Sequence, residues 1–189
     1  MSRKAILEID PTEVVLHEVK RHPMGMLGIL LVTGAVFIVY LGLLYFFIRN
    51  SADYGLQDAE NAIIIGAILL GGLIVLGGYA AIFVYRQNEL IVTNENIILI
   101  NQVSLFSRKV SQLNLAKIQD VSGDQDTITE NLFGFGTLTI ETAGEMKNFI
   151  FTYCPNPAIH AKHIIEAHEQ FITATANQTT PAHTPQRSL

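Results

Sequence analysis

Three histidines near the C-terminal end, His160, His163 and His168, look at first like a metal-ligand set. Laid on a helix at about 100° per residue they spread over about 140°, so the three do not converge on one ion. His160 and His163 remain a two-ligand half-site. His168 falls on the apolar face, where a packed, hydrogen-bonded or interface role is expected. Gly134-Phe135-Gly136 suggests a nucleotide loop, but the dinucleotide fingerprint needs a third glycine three residues on and a helix behind it. Thr139 stands there and a strand pattern follows, which predicts a turn or bulge ahead of a strand. Ile118-Gln119-Asp120-Val121 brings an amide and a carboxylate to a strand edge without a second acid or base. Asp124, Asp126 and Glu130 fall in the polar stretch Ser122–Glu130, which lacks the glycine and final glutamate of a calcium loop.

Cys154 is the only cysteine, so no intrachain disulfide forms, and a buried or neutral thiol is expected. Arg108 and Lys109, with Arg86 and Lys117, are candidate contacts for anionic lipid, each contributing on the order of 1 kcal/mol near a charged leaflet. The plain alternative is ordinary orientation by a few charges. No nucleophile, acid–base pair or ligand cluster converges, so no catalytic, cofactor-binding or metal residue is assigned. The chain is expected not to be an enzyme and to need no cofactor.

Composition says what positions these residues. The chain has 189 residues, 49% hydrophobic and 15% charged, with a net charge of −5. Globular chains carry about 25% charged residues, and the deficit sits in two blocks, 24–48 and 62–85. The second block holds 24 residues without a charge. As a helix it would be roughly 36 Å long, enough to cross a hydrocarbon core of ~30 Å with some tilt. The first apolar run starts too late and runs too long for a cleaved signal. Both read as retained spans, joined by an external loop over 49–61. Tyr40, Tyr45, Phe46 and Phe47 anchor the outer end of the first. Arg3, Lys4, Lys20 and Arg21 precede the first span and only Arg49 lies in the connection. The positive-inside rule then puts both termini in the cytoplasm of a multi-pass inner-membrane protein. Neither span holds an ionisable side chain, which argues against a transport path. Small residues four apart, Ala67 with Gly71 and Gly77 with Ala81, suit close helix packing, either as a hairpin with the first span or between copies. The acidic balance argues against nucleic acid as a partner.

Within the N-terminal segment 1–23, residues 13–22 fit a short strand or an amphipathic helix equally well. From Asn88 the period becomes two, the strand signature. Short strands follow at 88–93, 96–102, 108–113, 137–142 and 147–153, with reversals at Thr93–Asn96, Leu105–Ser107 and Ala143–Glu145. Pro155 and Pro157 mark the start of a helix whose apolar face is Ala161, Ile164, Ile165, Phe171 and Ile172. Residues 86–173 are therefore expected to form a cytoplasmic α+β domain, an antiparallel sandwich or partly open barrel capped by its C-terminal helix. The Thr/Ala/Gln/Pro-rich 174–189 reads as a disordered tail.

Several segments carry a family resemblance. Leu90–Ile97 is similar to an opening strand and turn. Leu115-Ala116-Lys117-Ile118-Gln119-Asp120-Val121 resembles a central element, and Asn131–Ile140 followed by Thr142-Ala143-Gly144 resembles a glycine segment, of the bacterial pleckstrin-homology-like family of YdbS-like membrane proteins. The match covers roughly 13–172, with Asn96 in place of a frequent basic residue. It implies a PH-like fold behind a membrane helical hairpin. The motif positions are Ile118, Gln119, Asp120, Gly134, Gly136 and Gly144, and the resemblance brings no reaction or catalytic residue with it. The leading expectation is a non-catalytic interaction or assembly module at the inner face of the membrane, with the bilayer and a protein partner or a second copy as its contacts. A lipid or small-ligand sensor is the second reading. An enzyme with an unrecognised site is the third.

Overall fold

The computed structural model describes residues 13–50, 60–143 and 148–179. They divide into two compact units. One holds the N-terminal segment to His22 together with Asn88–Asn101 and the chain from Arg108 onward. The other holds Pro23–Gln87 with the short loop Gln102–Ser107. The sheet domain is thus discontinuous in sequence: the two long helices are an insertion in it.

Strand β1 (Val15–Lys20) opens the domain, so the 13–22 ambiguity resolves as a strand. It pairs antiparallel with β2 (Glu89–Thr93), Lys20 facing Glu89 and Val19 facing Leu90, with a bulge at Leu16. β2 pairs with β3 (Asn96–Gln102), and β4 (Arg108–Asn114) ends a sheet of order β1-β2-β3-β4. A 3-10 turn over Leu115–Lys117 leads to β5 (Ile118–Asp124), which forms an antiparallel sheet with β6 (Phe135–Thr142) and β7 (Phe149–Pro155). Between β5 and β6 the short helix α3 (Ile128–Phe133) occupies part of the stretch read as a polar loop. Thr127 and Glu130 build a capping box there, which fixes the helix start by satisfying otherwise orphan N–H groups. The expected reversal at Ala143–Glu145 falls partly in 144–147, outside the described residues, as does Gly144.

Helix α4 (Pro157–Thr179) packs on β5, β6 and the 3-10 turn. The buried stripe is Ala161, Ile164 and Ala167, with Phe171 partly buried. Ile165 and Ile172, expected on that face, are exposed. The small side chains explain the difference. A Cβ on Gly123 would come within 2.6 Å of the Pro157 backbone. The helix therefore starts close to the sheet, and the small Ala161 and Ala167 flank Ile164 in its buried stripe. The helix also runs six residues beyond Thr173, so 174–179, expected to begin a tail, are helical. Ala174 and Ala176 favour helix, and Thr173 and Thr175 direct their hydroxyls back to the carbonyls of Glu169 and Phe171. Residues 180–189 lie outside the described residues. The main core, with Leu90, Ile97, Leu115, Leu138, Ile140, Phe151 and Ile164 almost solvent-free, lies between the two sheets and α4, and Ile91, Ile98 and Ile100 form a second buried cluster.

In the other unit, α1 (Met24–Arg49) and α2 (Glu60–Arg86) are long and apolar enough to cross a membrane. They pack as an antiparallel hairpin. A Cβ on Gly78 would meet the Thr33 side chain at 2.6 Å, one on Gly71 the Tyr40 ring at 3.2 Å, and one on Gly25 the Tyr85 ring. Tyr40 Oη donates to the Ala67 carbonyl. Ala67, Gly71 and Gly78 thus share one contact face, as small residues do where packing drives helix association in lipid. Gly77 instead faces open space.

Because β1 supplies one side of the β2 ladder, a fragment 88–179 is expected to expose the paired edge of β2 and to aggregate. The same fragment preceded by residues 13–22 through a short Gly/Ser linker should be monomeric with a cooperative thermal transition. Size-exclusion chromatography and thermal scanning of the two proteins check this. Equal behaviour would show that β1 is dispensable.

Candidate functional site

The N-terminal strand brings a third histidine to the half-site expected from the sequence. The His17 ring stacks on His163 with centroids 4.4 Å apart and planes 9° from parallel, and His160 meets His163 edge-on at 6.0 Å. His17 was invisible to the helix-only reading because it lies on β1, far away in sequence. The Nδ1 atoms of His160 and His163 are buried and without a hydrogen-bond partner. Face-to-face stacking points ring nitrogens along parallel planes rather than at a common point. Among the described residues no group of three or more His, Cys, Asp or Glu could hold a metal ion. Burial, and then the neighbouring His163 and His17, push the His160 pKa below its ordinary value. His168 stands apart: its Nδ1 donates to the Leu115 carbonyl at 2.8 Å, tying α4 to the 3-10 turn, the packed and hydrogen-bonded role expected for it.

Cys154 is fully buried in the core, and burial pushes its thiol up to about 12, so it is a neutral packing residue. Glu130 is held below the usual carboxylate range, first by the Thr127 N–H and against desolvation, which is the signature of a helix cap rather than of an acid catalyst.

The family-like positions prove to be backbone devices. Ile118 pairs with Thr142 and Asp120 with Glu141, so Gln119 is the extra residue of a β-bulge. The bulge lets Gln119 and Asp120 both face solvent while Ile118 packs against the core. Gly134 ends α3 in the left-handed region at φ 67, the conformation glycine adopts at helix C-termini, and its carbonyl accepts from Asn156 N–H. Gly136 leaves no room for a side chain, since a Cβ would sit 2.1 Å from the Asp124 carbonyl oxygen. Opposite it, Tyr153 is the bulge residue of β7, with φ 55. Its ring stacks on Phe135, Phe135 stacks on His22, and its carbonyl accepts the His22 N–H at 2.7 Å. These contacts hold a left-handed tyrosine that would otherwise relax.

Of the basic residues expected at lipid, three lie in the sheet domain, and Lys117 is set apart from Arg108 and Lys109. Arg108 and Lys109 open β4 and are exposed. Lys117, also exposed, lies at the other end of that strand, beyond Asn114, where Leu115 N–H bonds the carbonyl of Glu95 in the β2–β3 turn. Arg86 ends α2 in the other unit. In the same turn Asn96 donates to Glu13, and Asn94 exchanges bonds with Val14. The residue that departs from the family pattern therefore pins the N-terminal segment.

Of the hollows, that of ≈ 540 Å³ between α1 and α2 is lined by apolar side chains such as Phe37, Ile68 and Val75, and its Tyr40 hydroxyl is already bonded. A cleft of ≈ 340 Å³ lies where Leu16 and Asn94 face Ala167 and Phe171 of α4. It holds one carboxylate, Glu95, and no second acid or base. The clearest open feature of the domain is β4. It is an edge strand whose outer side pairs with no other strand among the described residues, with Arg108, Lys109 and Val110 exposed.

Two outcomes follow from these local arrangements. His160 has a folded pKa below its unfolded value, so its contribution to stability is present above about pH 6.5 and is lost as pH falls. The thermal midpoint in detergent should fall on acidification through that range, and His160→Gln should flatten the slope; an unchanged slope would assign the acid response elsewhere. Gly136→Ala should lower the unfolding free energy by about 1–3 kcal/mol through overpacking against β5, measured by denaturant titration of the purified protein. Gln119→Ala, an exposed position, should stay within about 0.5 kcal/mol.

Comparison with known proteins agrees with this architecture. No curated protein matches the chain. The family model described as "Bacterial PH domain" matches residues 26–169, a stretch that takes in both long helices and β2 to most of α4. With its sheets of four and three antiparallel strands closed by a C-terminal helix, the chain belongs to the bacterial PH domain family.

Proposed function

We propose that the protein is a membrane-anchored, non-catalytic interaction or assembly module, presented at the inner face of the cell membrane and docking a protein partner or a second copy on the β4 edge. The observation that carries this reading is the open strand itself. An unpaired edge offers a row of main-chain donors and acceptors to an added strand, and side-chain pockets then give selectivity. The inner-face orientation rests on the Lys and Arg of the N-terminal segment against the single Arg49 of the connection. It also rests on β1 and β2 being neighbours, which requires both ends of the helical hairpin to leave the membrane on the domain's side.

Cys154 is buried and unreactive, so Val110→Cys introduces one accessible thiol. A thiol-directed photocrosslinker at that position, activated in intact membranes, is expected to give one discrete protein adduct. The same reagent at Lys162→Cys, on the exposed face of α4, should give none. Adducts with lipid alone, diffuse labelling equal at both positions, or turnover of the purified protein on a broad panel of hydrolysable substrates would overturn the proposal.

A further inference from the structure

The loop between β3 and β4 carries an apolar tip. Its sequence, Val103-Ser104-Leu105-Phe106-Ser107, places three large apolar side chains within four residues, and all are exposed: Val103 65%, Leu105 47% and Phe106 97%. Isolated exposed apolar residues are ordinary, but a contiguous cluster on a projecting tip marks a contact surface. Several polar groups of the loop bond within it. Val103 and Ser104 N–H both donate to the Ser107 carbonyl, at 2.9 and 3.2 Å, Ser107 N–H donates to Ser104 Oγ, and Gln102 Nε2 donates to the Ser104 carbonyl. These bonds lower the cost of moving the loop from water to the interface, where headgroup water still reaches its remaining main-chain groups.

Connectivity says which surface meets this tip. Ile100 faces Glu89 across the β2–β3 ladder, so β3 runs into the loop at the strand end where the chain arrives from α2, three residues after Arg86. Lys20 faces the same Glu89 just before α1 begins. The loop Gln102–Ser107 groups with the two long helices into one compact unit. Directly after the apolar tip come Arg108 and Lys109, both exposed. Apolar side chains followed by basic ones, next to membrane-spanning helices, match the order of acyl chain and anionic headgroup met on leaving a bilayer.

We infer that Val103, Leu105 and Phe106 insert into the leaflet from which the helices emerge, with Arg108 and Lys109 at its headgroups, so that the β3–β4 loop is a third membrane contact of the protein. The occupant is lipid, not a peptide. The inference rests on the reading that α1 and α2 span the membrane, and the test separates the two.

The chain contains no tryptophan, so one introduced indole reports alone. The full chain carrying Phe106→Trp is reconstituted in vesicles of phosphatidylcholine with phosphatidylglycerol, with bromine placed either shallow or deep on the acyl chains. Leu31→Trp, in α1, serves as the marker of a spanning helix, and Ile150→Trp, exposed on β7 at the strand end away from His22, as the marker of a wet surface. The expected result is a blue-shifted Phe106→Trp emission, quenched by shallow bromine and shielded from aqueous iodide, with Ile150→Trp showing the reverse. Adding Arg108→Glu and Lys109→Glu should reduce the shallow quenching in anionic vesicles and leave it unchanged in pure phosphatidylcholine. If Leu31→Trp is quenched from within the bilayer while Phe106→Trp stays open to iodide, the loop is free for a protein and the inference fails. If Leu31→Trp is itself unquenched, the spanning reading fails and the inference with it.

Discussion

The pairing of β1 with β2 is the constraint on which the rest depends. The two strands are neighbours in one sheet, yet the whole helical hairpin lies between them in sequence. Val14 N–H bonds the side chain of Asn94 across 80 positions, and Glu13 and Asn96 meet across 83. The sheet takes its first strand from before the hairpin and its second from after it. The two ends of the hairpin continue into the adjacent strands β1 and β2. The lengths of the ties, Lys20 to Met24 and Arg86 to Glu89, are only a few residues. The short loop that groups with the helices and the strand that opens with two basic residues acquire their meaning from this arrangement.

Most of the fold was legible from the sequence because its signals are local. Uninterrupted apolar runs announced both long helices, and alternation announced β2, β3, β4, β6 and β7. The 13–22 strand was undecidable for a physical reason. Six residues of mixed polarity carry no period long enough to separate strand from helix, and what decides is the ladder offered by Glu89–Thr93, a partner far along the chain. The C-terminal helix shows the opposite error. Its hydrophobic pattern places Ile165 and Ile172 on the buried face beside Ala161, Ile164 and Phe171, but with Pro157 seated closely on Gly123 it is the small Ala167 that turns inward. Composition reads how apolar a face is, and packing distance reads how small it must be.

The candidate sites were harder, since their parts come from separate elements. His160 and His163 were visible as a pair, but the ring that completes the cluster is on β1. The glycine and glutamine positions that carry the family resemblance turned out to shape backbone: a bulge at Gln119, a left-handed turn at Gly134, and a contact at Gly136 too tight for any side chain. A fold-level likeness therefore identifies the scaffold and leaves the ligand to be argued from surfaces. Here those surfaces are an edge strand and an apolar loop, features without a sequence motif of their own.

The insertion also bears on how the domain can fold at all. Closing an unstructured loop of the hairpin's length between β1 and β2 would cost about 4 kcal/mol of chain entropy, a large share of the roughly 5–15 kcal/mol that stabilises a typical domain. The helices remove most of that cost. Gly25 lies against the Tyr85 ring, so the two ends of the hairpin are already side by side once the helices have packed. Only the short stretches to Lys20 and from Arg86 then remain to be ordered. The glycine face that brings Gly71 against Tyr40 and Gly78 against Thr33 therefore does more than pack two helices. By holding two distant points of the chain together it supplies the proximity that β1 needs to find β2. Weakening the hairpin would thus weaken the sheet domain without any change to the domain's own core.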